Sequence, residues 1–466
     1  MLRASLVPLF LAAAALPACG SDSQNLFKDS SGGSGGGGAS SHHGSTTSAS
    51  STGTGGAGGA STSSSGTGAG GGAVAPGIIS QSDQSALESE THVAVAPNGF
   101  VCATWIAEQP GGGSTNGYRF STDGGATWQP VSHVASPSPE VASDPVLAID
   151  QENDFYLTWV GFQFDQQGQP FDMHVYVAKA AAGATSFGAP IEVTSNPGGG
   201  ESYDKPWITV TNKDTVLVTY AVTSTGALRA ARSTNGAQSF GTATIVQDGQ
   251  FRNLMYPCAP ATGDRVWVTY VVPQGGIGLR WSDDDGVTWP DANKTAVADN
   301  GEVPAFDDPT CAAEGSDVWV AYGLSMDGFS SNNSPKLTAV RVAHSGDGGV
   351  TIDARVDAHD TSAGAYFMHP QLVREPGGAF DLVYYAGQGD NDANASFRRS
   401  RSVDGATWDP SAVVKAPILF VTDRMGGKWL GDYVGLAFAG GSILTTYADN
   451  TVDMYSHIGF AKVAVQ

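Results

Sequence analysis

Past the first 75 residues, apolar and polar side chains alternate in short runs, each finishing on an aromatic. Val216-Leu217-Val218-Thr219-Tyr220 and Val266-Trp267-Val268-Thr269-Tyr270 show the pattern best. The runs end at Trp105, Trp159, Tyr220, Tyr270, Tyr322, Tyr384 or Tyr385, and Tyr447. Period 2 with β-branched and aromatic enrichment predicts strands, so the chain reads as all-β. Between these strands a turn recurs. Ser121-Thr122-Asp123-Gly124-Gly125-Ala126-Thr127-Trp128 is one copy, and Ser282-Asp283-Asp284-Asp285-Gly286-Val287-Thr288-Trp289 is another. Ser345 to Ile352 and Ser402 to Trp408 are variants, and two worn copies end at Phe187 and Phe240. A Gly of this turn sits at 125, 183, 236, 286, 349 and 405, a period of roughly 50–60 residues, as in a propeller of four-stranded blades. The turn carboxylates, assigned as Asp123, Asp285, Asp347 and Asp404, are expected to accept hydrogen bonds from backbone N–H groups of their own turn.

Seven aromatic-ended strands face only six such turns. The last unit has three strands before the chain nearly stops, its third being Ile458-Gly459-Phe460-Ala461-Lys462, which aligns with Val175-Tyr176-Val177-Ala178-Lys179. The segment Ala73 to Ser80 belongs to no unit and is expected to supply the missing outer strand. Closure of that kind removes exposed sheet edges. The expectation is a β-propeller of seven four-stranded blades, with six blades as the alternative.

The N-terminus changes the picture. Arg3 is followed by the apolar run Leu6 to Leu16, too short to span a bilayer, and then by Leu16-Pro17-Ala18-Cys19-Gly20. This resembles a bacterial lipobox, which implies a signal peptide over 1–19 and acylation of Cys19. Residues 20–75 are almost entirely Gly, Ser, Thr and Ala, a composition that reads as a flexible linker with a reach on the order of 40 Å. His42 and His43 fall inside it and read as solvated. The propeller then occupies 76–466, extracytoplasmic and held at a membrane, outer membrane or cell surface, by lipid alone.

The formal net charge is -22, which argues against nucleic acid as a partner. Of four Cys, Cys102 reads as a small core residue. Cys258 and Cys311 occupy similar places in adjacent units, either as a disulfide or as two buried thiols.

The Asp-bearing turns with valine-rich strands resemble the Asp-box (BNR) repeats of the sialidase superfamily, over about residues 75 to 466. The resemblance implies a propeller and a glycan partner. It leaves open a glycoside hydrolase or a non-catalytic carbohydrate- or protein-binding module, because the turns are shared by both. Sialidases clamp a sugar carboxylate with three Arg, the first in an Arg-Ile-Pro type motif, and use a Tyr nucleophile with a Glu and an Asp. No Arg-Ile-Pro string occurs here, so no catalytic residue carries over by motif.

A site is expected over the central channel, at the residues entering each innermost strand. These are Glu90 and His92, Asp144 before Pro145, Asp204-Lys205 before Pro206, Tyr256 before Pro257, Asp307-Asp308 before Pro309, His369 before Pro370, and Asp432-Tyr433. Each Pro reads as a first strand residue, where no ladder N–H is needed. Asp144, Asp204, Tyr256, Asp308 and Asp432 are the catalytic candidates. Glu90, His92, Lys205, His369 and Tyr433 are ligand-binding candidates, joined by Arg252, Arg424 and Lys428 as nearby positive charge. The ring fits acid/base work on a glycosidic bond, coordination of Ca²⁺, or plain capping of strand ends. Asp390-Asn391-Asp392-Ala393-Asn394 lacks the Gly and Glu of a calcium loop and reads as a polar hairpin.

Overall fold

The computed structural model describes residues 73–80, 87–109, 113–135, 137, 141–166, 169–195, 200–249, 253–272, 276–305, 307–325, 336–422 and 427–465. The expected signal peptide, the expected lipidation site Cys19, nearly all of the expected linker, Arg252 and Arg424 lie outside them. The described residues form β-strands and turns with no helix. Strands follow one another as antiparallel meanders of four, which resemble propeller blades. The first two meanders are joined into one eight-stranded sheet by a single parallel bridge, Ser114 to Val141. Their first strands are Glu88–Val95, Val141–Ile149, Tyr203–Val210, Asn253–Cys258, Thr310–Glu314, Tyr366–Arg374 and Gly435–Ala439. Each of these strands lies against the next, and the last lies against the first. The final meander takes its outer strand from the other end of the chain: Val74–Ile78 pairs with His457–Ala464. Val74 and Ala75, assigned to the linker by composition, are therefore part of this sheet.

The alternation places one aromatic of each second strand in the core. Trp105, Trp159, Tyr220, Tyr270, Tyr322, Tyr384 and Tyr447 are all buried, and so is Tyr385. The turns knit neighbouring sheets. Trp128 packs edge-on against Phe460 at 4.9 Å, across the junction of the first and last meanders. A Cβ at Gly125 would collide with the same Phe460 ring, and Gly125 has φ +91°, so glycine is needed there twice over. Within four of the turns a serine and an aspartate organise the backbone. Asp123 Oδ1 accepts from Thr127 N–H at 2.8 Å and Asp347 Oδ1 from Thr351 N–H at 2.9 Å. The bonds from Thr351 hold Asp347 down at about 2.

In the turn at 282–289 the residue doing this is Asp284, not Asp285. Asp284 Oδ1 accepts from Ser282 and from Thr288 N–H at 2.6 and 2.8 Å. Asp285 stands where other turns carry Gly, at φ 60°, and reaches back to the preceding sheet. There its carboxylate accepts from Thr215 and Arg232 at 2.6 and 2.7 Å. Cys258 and Cys311 form a disulfide between the fourth and fifth meanders, and Cys102 is a buried free thiol.

Candidate functional site at the channel mouth

Five of the first strands share a distortion. Their registers shift between Ser89 and His92, Ser143 and Val146, Asp204 and Trp207, Asn253 and Met255, and Met368 and Gln371. In each shift one residue adopts a left-handed backbone: Glu90, Asp144, Lys205, Leu254 and His369, at φ 46–54°. These are β-bulges, which re-aim a side chain at the expense of local pairing. Non-glycine residues in this region cost of order 1–3 kcal/mol each, so five at equivalent places mark a site that the rest of the fold sustains. Pro145, Pro206 and Pro370 sit inside strands, in the bulges, rather than at the strand starts expected from sequence. A bulge leaves an N–H outside the ladder, so proline costs nothing there. In the fourth strand the bulged residue is Leu254, and Pro257 is paired opposite Val268.

Two of the bulge carboxylates, Glu90 and Asp144, converge with Asp432 on one cation. Lys205 Nζ lies 2.9 Å from Glu90 Oε1, 2.8 Å from Asp144 Oδ1 and 2.7 Å from Asp432 Oδ2. Lys205, Glu90 and Asp144 are buried, and Asp432 is 20% exposed at its side chain. The three carboxylates are thus within two hydrogen-bond lengths of one another. Burial works against the Lys205 ammonium, but Asp144, Asp432 and Glu90 outweigh it and raise its pKa well above the usual lysine value. Burial pushes Glu90 well above the carboxylate range, against the pull of Lys205 and with Asp144 and Asp432 adding to the push. Burial also opposes ionisation of Asp432, yet Lys205 prevails and holds it below the usual value. Glu90 Oε2 is buried without a hydrogen-bond partner.

Asp308 completes the floor. Its carboxylate is buried and neither oxygen has a hydrogen-bond partner. Burial raises it well above the carboxylate range, and Asp307 and Asp432 add to that against Lys205. Its neighbour Asp307 receives the backbone N–H of His369 at 3.1 Å and faces His369 Nδ1 at 3.1 Å, while His369 Nε2 is buried without a partner. Asp204, raised to about 6 chiefly by burial, accepts from Asn253 Nδ2 at 2.9 Å. Tyr256 accepts from Gln371 Nε2 at 2.9 Å and packs on Trp207, with ring centres 4.6 Å apart. Trp207 also meets His92 and Tyr433 at 5.5 and 5.3 Å.

The structure therefore gathers Glu90, His92, Asp144, Asp204, Lys205, Tyr256, Asp308, His369, Asp432 and Tyr433 in one region. Lys428 is drawn elsewhere, donating to the Asn450 carbonyl at 2.7 Å. Asn253 and Gln371, which hold Asp204 and Tyr256, had no signal in the sequence beyond a place in a strand. Leu254 had none because its bulge is not followed by proline. Burial raises Tyr433 well above the ordinary tyrosine value and Tyr256 to about 12, so neither is poised as a phenolate. Among the described residues no group of three or more His, Cys, Asp and Glu is arranged to hold a metal ion, and the ammonium of Lys205 fills the centre of the acidic triad.

No family profile matches the sequence, and no curated protein does. Among solved structures, the chain is similar to a protein of unknown function from Dyadobacter fermentans, at TM-score 0.51 and 16% identity, over 84% of this chain and 99% of that one. Trypanosoma rangeli sialidase with a bound inhibitor gives 0.43 and 12% identity, over 81% of this chain and 55% of that one. A Hadza microbial sialidase gives 0.45 and 13%, over 81% and 66%. At these identities the likeness is one of fold.

Proposed function

We propose that the chain is an exported seven-bladed propeller, anchored by lipid at Cys19, that binds glycans at the acidic mouth of its channel. The seven-blade reading is supported by the succession of four-stranded meanders and by the pairing of Val74–Ile78 with the last of them. The anchor follows from the Leu16 to Cys19 string and the polar stretch behind it.

The observation that carries the binding reading is Asp308, buried with both carboxyl oxygens unpartnered beside the Lys205 cluster. Leaving a buried polar group unpaired costs about 1–3 kcal/mol, and a ligand hydroxyl relieves it. Sugar hydroxyls are donors of the right kind, and the half-buried Tyr256, backed by the buried Trp207, lies in the same region. The sign of the charge selects among sugars. Lys205 is already shared by three carboxylates, so neutral and amino sugars suit this mouth and carboxylated ones do not.

One observation favours hydrolysis as a second reading. Glu90 is pushed up and Asp432 held down, and such a split is how two neighbouring carboxyls take the acid and base roles. The experiment presents the full chain with immobilised neutral, amino and sialylated glycans, and with fluorogenic aryl glycosides. Retention on neutral or amino sugars, lost in Asp308→Asn, supports the site. Aryl glycoside cleavage lost in Glu90→Gln adds catalysis. Preference for sialylated glycans would overturn the charge argument.

A further inference from the structure

At the face opposite the mouth, one register position recurs through the sheets. It is the third-strand residue paired with the position three before each core aromatic. It is occupied by Phe120, Lys179, Arg232, Trp281, His344, Arg401 and Lys462. Four of the five basic residues have a carboxylate. Lys179 pairs with Asp154, Arg232 with Asp285 at 2.7 Å, His344 with Asp317 and Asp353 at 2.9 and 2.7 Å, and Arg401 with Glu375 at 2.9 Å.

Lys462 is the exception. It is only 9% exposed, yet no carboxylate or hydrogen-bond acceptor among the described residues meets it. The routes that serve Lys179 and Arg232 are both closed. Where Asp154 precedes the partner of Lys179 by two positions, Ser442 precedes the partner of Lys462. Where the next turn offers Asp285 to Arg232, the next turn offers Gly124 to Lys462, and a Cβ built on Gly124 would lie 3.0 Å from Nζ. In place of the acid there is a cavity of about 280 Å³ between the first and last sheets. Lys462, Asn98 and Thr122 give it polar walls, and Val95, Pro97 and Leu444 apolar ones. Asp123 also borders it, but its oxygens are taken by Ser121 and Thr127.

We propose that this cavity binds a small oxyanion, a phosphate or carboxylate group, with Lys462 as its counter-charge. The stem of Lys462 is buried while its ammonium borders the cavity with no internal acceptor, and its four counterparts show that elsewhere the fold supplies an acid at this position. The site is independent of the channel mouth, because Glu90 lies near the start of the strand Glu88–Val95 and the far end of that strand, Val95, lines the cavity.

The test is calorimetric titration of the full chain with inorganic phosphate and with acetate at constant ionic strength. One saturable site is expected for at least one of them. Lys462→Met should weaken it by about tenfold or more, Lys462→Arg should keep it, and Lys179→Met should leave it unchanged. Ser442→Asp and Gly124→Asp should each abolish it by giving the lysine an internal partner, as Asp154 and Asp285 do elsewhere. Unchanged affinity in Lys462→Met, survival in both aspartate variants, or no saturable binding of either anion would overturn the proposal.

Discussion

Lys205 Nζ meets Asp432 Oδ2 at 2.7 Å across 227 positions of sequence, and the same ammonium carries Glu90 and Asp144. One lysine thereby ties the third meander to the first, second and last. Lys205→Met would leave the three carboxylates facing each other with no cation. Removing one partner of a buried ion pair costs about 3–5 kcal/mol, and that loss is expected in urea denaturation near neutral pH. Calcium should restore part of the variant's stability and leave the native chain unmoved, since the lysine already fills the centre of the triad. Equal stability of Lys205→Met and the native chain would refute the charge-tie reading.

Asp284 and Asp285 are adjacent but act on different sheets. Asp284 closes its own turn through Ser282 and Thr288, whereas Asp285 pairs with Arg232 of the sheet before. A double-mutant cycle separates them. Asp285→Ala with Arg232→Ala should show a coupling of about 1–2 kcal/mol, and Asp284→Ala with Arg232→Ala a coupling near zero. Coupling to Asp284 instead would restore the assignment first read from sequence.

That pair shows where sequence reading reached and where it stopped. The strands were legible because a half-buried ladder imposes period 2 on any sequence, and the turns because a few positions accept only Gly, Asp and Ser. In the run Asp283-Asp284-Asp285 the choice required the Ser-x-Asp spacing of Ser121 to Asp123, Ser345 to Asp347 and Ser402 to Asp404, which points to Asp284. The site was legible only as polar residues near prolines. Its cause is the set of bulges at Glu90, Asp144, Lys205, Leu254 and His369, five unlike side chains in one backbone conformation that no residue type announces. The Lys205 to Glu90 contact spans 115 positions and exists only because the sheets close on one another.

The disulfide joins residues 53 apart on the fourth and fifth meanders, next to Tyr256 and Asp308. Loop-closure entropy for that span is about 4 kcal/mol. Cys258→Ser with Cys311→Ser should lose roughly that much stability, and the native chain should lose it only under reducing conditions. If dithiothreitol leaves the unfolding midpoint of the native chain unchanged while it lowers no thiol-free control, the bridge does not form in solution.

His92 gives the fold a dependence on acid that can be isolated. Its ring is buried at the edge of Trp207, and Nδ1 accepts the Leu147 backbone N–H at 3.3 Å, which requires an unprotonated nitrogen. Burial lowers its pKa from 6.5 to about 3. Between those values the unfolded chain takes up a proton that the folded chain refuses. Stability from this residue is therefore complete above about pH 6.5 and is lost progressively as the pH falls toward 3. At pH 5 the loss is about 2 kcal/mol by proton linkage. Asp204, raised to about 6 by burial, works the other way, favouring the folded state as pH falls below 6, and it is common to any pair of proteins compared. His92→Gln keeps an acceptor for Leu147 and removes the titration. Denaturation of both proteins at pH 7.5 and pH 5 should therefore show the native chain losing about 2 kcal/mol more than the variant. Parallel losses in the two proteins would mean that the His92 imidazole is solvated and titrates as it does in the unfolded chain.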